Sequence, residues 1–166
     1  MSGTLGPGRR AVLKERDTGG MPVADRDPRE LDGAWSRHQR HTFTEPAPGV
    51  APFVEHFWVV EWSYATPYRQ KVVPYPHVHV TMRTGSRPVV AGVATRHVVK
   101  ELAGTGTVVG AQFRPGAFRA MLDCPVSALT DRMVPGAEIP GLRRWAPPEL
   151  VDVAEFERWL LRVLVR

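Results

Sequence analysis

The chain has 166 residues and a formal net charge of +5; 43% of its residues are hydrophobic and 23% are charged. That length holds one domain with a substantial core and not two large ones. No apolar run is long enough for a membrane-spanning helix, and no apolar stretch follows the basic N-terminal residues as a secretory signal requires. The single cysteine, Cys124, has no partner for an internal disulfide, which fits a cytoplasmic protein. Positive charges such as Arg9, Arg10, Lys14 and Arg16, or Arg158, Arg162 and Arg166, form no block of five, so composition alone outlines no nucleic-acid footprint.

Residues 1–50 are punctuated by Gly3, Gly6, Pro7, Gly8, Gly19, Gly20, Pro22 and Pro28, and no apolar period survives them. The expectation is a flexible arm over 1–50 and one folded domain over 51–166. Pro46, Pro48 and Pro52 make a stiff entry into that domain, since each fixes φ and removes a donor.

From Phe53 the chain turns aromatic and β-branched. Over 53–62, Trp58, Val60 and Trp62 alternate with Val59 and Glu61, which predicts a strand; the first half of the segment also fits a helical turn after Pro52. Residues 77–83 alternate as well. Val78, Val80 and Met82 take one face, and His77, His79, Thr81 and Arg83 the other. The turn Thr84-Gly85-Ser86 leads into 88–93, which predicts a hairpin. A second hairpin is predicted from 97–102 and 107–113, with Ala103-Gly104-Thr105-Gly106 as its turn.

Helical signals come last. Pro115 suits the first position of a helix over 115–122, and Ser127 suits an N-cap for a short turn over 128–132. Asp152 and Glu155 resemble a capping box, after which Val153, Phe156, Leu160, Val163 and Leu164 recur at helical spacing. This helix is expected to reach Arg166 with no C-cap, as if further chain followed. The fold class implied is α+β: a mainly antiparallel sheet or half-barrel, cupin-like closure included, followed by C-terminal helices.

No catalytic motif is present: there is no G-x-S-x-G, phosphate-binding loop or H-E-x-x-H, and no enzyme activity or cofactor is expected. His77 and His79 point the same way on a strand and suggest a two-histidine metal site, with His97 as a third ligand. No acid follows them, however, and Arg83 shares their face, so no metal is expected. Trp58 and Trp62 on one sheet face form either plain core or a platform for a flat or apolar small molecule. Arg114, at the sheet-to-helix junction, either receives an anion near a helix N-terminus or braces the junction with a salt bridge. The candidate ligand pocket is therefore Trp58, Trp62, His77, His79 and Arg114. The apolar helix face, Phe156, Leu160, Val163 and Leu164, is a candidate dimer surface.

Several segments then occur in one order: F-W-V-V-E-W at 57–62, P-Y-P-H-V-H-V at 74–80, G-V-A-T at 92–95, G-A-Q-F-R-P-G-A-F at 110–118 and P-V-S-A-L-T-D-R at 125–132. This series resembles the uncharacterised N-terminal sensor domain of many actinobacterial AraC-type transcription regulators, over roughly residues 50–165. The resemblance implies a regulatory domain that senses an unknown small-molecule effector, pairs with itself as a homodimer, or both. DNA would be read only through a C-terminal pair of helix-turn-helix units, which this sequence does not contain. Two other readings stay open, a stand-alone oligomerisation module and a cupin-like metal-binding protein.

Overall fold

The computed structural model describes residues 38–144, 146–149 and 152–164. The arm expected over 1–50 lies outside them as far as residue 37, as does the end of the last helix at residues 165–166. The fold is α+β. Six strands form one antiparallel sheet that does not close: β1 (Gln39–Thr44), β2 (Val54–Val72), β3 (His79–Met82), β4 (Val89–Ala91), β5 (Val98–Phe113) and β6 (Met133–Pro135), in the spatial order β1-β2-β5-β3-β4-β6. One C-terminal α-helix, α1 (Val153–Leu164), follows.

β1 lies within the segment read as flexible, where it pairs with β2 from Gln39↔Trp62 to Thr44↔Phe57. Its short polar run carries little strand signal of its own, so the pairing is supplied by β2. The predicted β3–β4 hairpin is present, with His79↔Ala91 and Thr81↔Val89 in register. The second predicted hairpin is not. Residues 98–113 run as one strand, because β2 continues to Val72 and pairs with β5 along its whole length. The supposed turn glycines lie inside β5; Gly104, at φ +59, sits beside the irregularity at Tyr64/Tyr68, which Pro67 marks on β2.

This ribbon cannot be straight. Val72 pairs with Val98 and His79 pairs with Gln112, positions that would lie about 46 Å apart on a straight strand. The seven residues from Val72 to His79 span at most about 25 Å. The β2–β5 ribbon therefore bends over the sheet, and Lys100 on its outer part reaches Met133 at the edge strand β6, with Nζ 2.8 Å from Sδ.

The expected alternation decides the two faces. Val54, Phe57, Val80, Met82, Val90, Val109, Ala111 and Phe113 form the core face, covered by α1 and by the turns after β5. Phe57 meets Phe156 edge-on, and Phe156 stacks on Trp159, which is fully buried. The Asp152 carboxylate accepts the Glu155 N–H at 2.7 Å, so the expected cap is in place. Phe156, Leu160, Val163 and Leu164 are all buried in the chain's own core. They are not a free dimer surface: their stripe at i, i+3, i+4 and i+7 spacing, completed by Trp159, is what fixes α1 to the sheet.

The shorter helices also differ from expectation. Ala117–Met121 and Val126–Leu129 are 3-10 turns. Gly116, at φ +78, precludes a helix starting at Pro115, and Pro125, not Ser127, precedes the second turn. Two distant segments interlock here. Asp131, itself at φ +58, accepts the Thr95 N–H at 2.7 Å and the Thr95 hydroxyl at 2.6 Å, while Gly92 N–H donates to the Arg132 carbonyl. The segments G-V-A-T and S-A-L-T-D-R are thus two halves of one clasp.

Candidate functional site

The face opposite the core carries the polar and aromatic residues. From β2 it takes Trp58, Val60 and Trp62, whose partners on β5 are Gly110, Val108 and Gly106. A Cβ at Gly110 would lie 2.1 Å from the Trp58 indole, and one at Gly106 2.2 Å from that of Trp62. Both indoles therefore lie flat across β5 and reach β3 beyond it. Trp58 Nε1–H donates to Nδ1 of His79 at 3.2 Å, with the two rings edge-to-face at 6.1 Å. Four residues along β2 and β5, Trp62 lies under Arg83, which follows the last residue of β3 and whose guanidinium carbon is 5.0 Å from the ring centroid. Trp62 Nε1–H donates to the Ala103 carbonyl, and the ring packs with Tyr64 and Leu102 in a second, smaller apolar cluster.

The Trp58 indole N–H is only a donor, so Nδ1 of His79 must carry a lone pair. Burial pushes the His79 pKa down to about 4, with smaller contributions from His77 and His56. The ring is neutral at pH 7, its proton on Nε2. At the same end, a bulge between Val54 and His56 sets Glu55 beside the sheet. Its carboxylate accepts Nε2–H of the buried Gln112 at 2.7 Å and lies 3.5 Å from Nδ1 of His77, which donates to the Phe113 carbonyl at 3.0 Å. The Gln112 hydrogen bond is the main cause that holds the Glu55 carboxyl below its usual range; His77, His56 and Arg114 act in the same direction.

Of the five residues expected to line a pocket, Trp58 and His79 are in contact, and His77 stands next to them around Glu55. Trp62 belongs to the same face but to its Arg83 end. Arg114 reaches this end only through its charge on Glu55: its Nε–H donates to the Ala51 carbonyl at 2.8 Å and its backbone N–H to the Phe53 carbonyl. The side chain ties the entry segment to the end of β5 through a backbone carbonyl, and not through the salt bridge expected of a brace.

The residues missed are Glu55, Arg83, Lys100, Gln112 and the two glycines. Arg83 carries a signal in its β3 alternation, four residues after His79. The spacing of Gly106 and Gly110 matches that of Trp58 and Trp62, which becomes informative only once β2 and β5 are known to pair. Lys100 carries no signal, because the bend of the ribbon brings it in.

Among the described residues no group of three or more His, Cys, Asp or Glu side chains is placed to hold a metal ion, and His97 is exposed just before β5. No described helix is long and apolar enough to cross a membrane. Two cavities, one of about 170 Å³ around Cys124 and Pro140 and one of about 660 Å³ around Arg87 and Pro147, share no residue with this face.

No curated protein and no solved structure matches the chain. One family does, over residues 42–135, from β1 to β6, which takes in the whole Trp58–His79 face and the Asp131 clasp but not α1. The chain belongs to this family, described as a domain of unknown function (DUF6597).

Proposed function

We propose that this chain is the regulatory, ligand-sensing domain of an AraC-type transcription factor, with no catalytic role and no cofactor of its own. The observation that carries the reading is the second sheet face. A domain needs one apolar face for its core, and here the opposite face is also lined with aromatic side chains, with a neutral histidine at one end and a cation at the other. Such a surface suits a small molecule with an apolar body and polar ends. The resemblance of the segments at 57–62, 74–80, 92–95, 110–118 and 125–132 to AraC-type sensor domains supplies the regulatory context.

The mechanism is a population shift. A ligand seated on the face contacts β2, β3 and the bent part of the ribbon together, so it favours the conformation in which these are held in one arrangement. An attached DNA reader responds only if its position depends on that same arrangement. Homodimer formation remains part of the proposal, through a surface other than the buried stripe of α1.

The test has two arms. The gene, read with its flanking sequence, should encode two helix-turn-helix units in frame. A metabolite library should contain compounds that raise the melting temperature of the domain and change DNA binding by the intact product. A reading frame without such units, or DNA binding indifferent to every compound that stabilises the domain, contradicts the proposal.

A further inference from the structure

The Arg83 end of the face holds two cations that form no ion pair with a carboxylate among the described residues. Arg83 lies over Trp62, and Lys100 comes from the overarching ribbon to rest with Nζ 2.8 Å from the Met133 thioether. Neither has an acidic partner among the described residues. A thioether is a weak acceptor, and a partly buried ammonium with no better partner is costly. Burial, and after it the Arg83 charge, holds Lys100 below the usual lysine range, so the two cations also act on each other. Nothing in the fold requires this pair, since Met133 stands at a sheet edge and is itself exposed. An anion between them relieves both costs. Leading away from the pair toward Trp58, Val60 and Val108 are only partly buried and offer apolar contact.

We infer that this end is the binding site of an organic carboxylate, held between the Arg83 guanidinium and the Lys100 ammonium with its apolar body along Val60 and Val108 toward Trp58. A guanidinium held over an indole face by its charge still has N–H donors to offer, which suits a planar carboxylate. The inference rests on the sensing reading above and specifies the class of effector.

The experiment is an NMR titration of the domain with 4-phenylbutanoate, following the indole N–H resonances of Trp58 and Trp62. The uncharged 4-phenylbutanol and inorganic phosphate are titrated in parallel. The expected result is saturable binding of the carboxylate in the millimolar range or tighter, with both resonances moving, and much weaker binding of the alcohol and of phosphate. Arg83→Gln and Lys100→Met should each weaken carboxylate binding by at least about tenfold. Lys100→Met should do so without lowering the melting temperature, which separates a binding role from a structural one should Arg83→Gln fail to fold. Equal binding of the alcohol, equal binding of phosphate, unchanged affinity in Lys100→Met, or no saturable carboxylate binding overturns the inference. Should the carboxylate fail while uncharged library compounds still move the Trp58 resonance, the anion site falls and the sensing proposal stands.

Discussion

Trp58 and His79 belong to strands that are not neighbours, and they are hydrogen-bonded because the indole crosses β5 over Gly110, which has no side chain. The indole lies where a Cβ would be, so the contact depends on three strands at once. Gly110→Ala should destabilise the domain by about 1–3 kcal/mol, as overpacking does, and should change the Trp58 fluorescence. Chemical denaturation and emission spectra check both. A stable Gly110→Ala protein with unchanged emission means that the indole does not lie on β5.

The neutral state of His79 makes stability depend on pH. Its folded-state pKa, about 4, lies below the unfolded value of 6.5, so between these values the unfolded chain binds the extra proton. Stability is complete above about pH 6.5 and falls by up to about 3 kcal/mol as pH drops to about 4. His41, whose pKa burial also lowers, adds in the same direction. His79→Asn keeps an acceptor near the Nδ1 position and removes the titration, so its denaturation midpoint should vary less over this window. Equal slopes in the two proteins would place His79 in solvent. Glu55 and Asp131, with lowered carboxyl values, contribute stability that is present above the ordinary carboxylate range and lost at more acidic pH than the histidine window.

Asp131 combines a left-handed backbone with two bonds to Thr95. Asp131→Asn retains tolerance of that backbone and an acceptor oxygen, whereas Asp131→Ala retains neither. Melting temperatures should therefore fall in the order wild type, Asp131→Asn, Asp131→Ala. Thr95→Ala should add little in the Asp131→Ala background, because both changes break the same clasp. Additive losses would show that the two residues act separately.

Leu160 tests which surface α1 covers. It is fully buried against the sheet, so Leu160→Ala should cost about 2–5 kcal/mol. A Leu160→Ala domain of undiminished stability, altered only in its state of association, would restore α1 as a dimer surface.

The parts legible in the sequence are those with short-range causes. Alternation placed Val78, Val80 and Met82 in the core and His79 and Arg83 opposite them, and the Asp152 cap marked the start of α1. The parts that were not legible have long-range causes. β1 is a strand because β2 offers it an edge, and Gly104 and Gly106 look like a turn until Val98–Gly104 is seen to pair with the far half of β2. Arg114 suits an anion and a salt-bridged brace equally in sequence, and no local pattern announces the Ala51 carbonyl that its Nε–H meets. Periodicity marks the apolar stripe of α1, but it does not say whether a sheet or a second copy covers it.

The central claim is that the Trp58–His79 face receives a small molecule. The most direct measurement is a library screen of the isotope-labelled domain that follows the indole N–H resonances of Trp58, Trp62 and Trp159. Binding compounds should move Trp58 first and leave Trp159, buried behind the core, nearly unmoved, and His79→Asn should weaken them. If stabilising compounds leave Trp58 unmoved, or move Trp159 instead, the face is not the sensing surface.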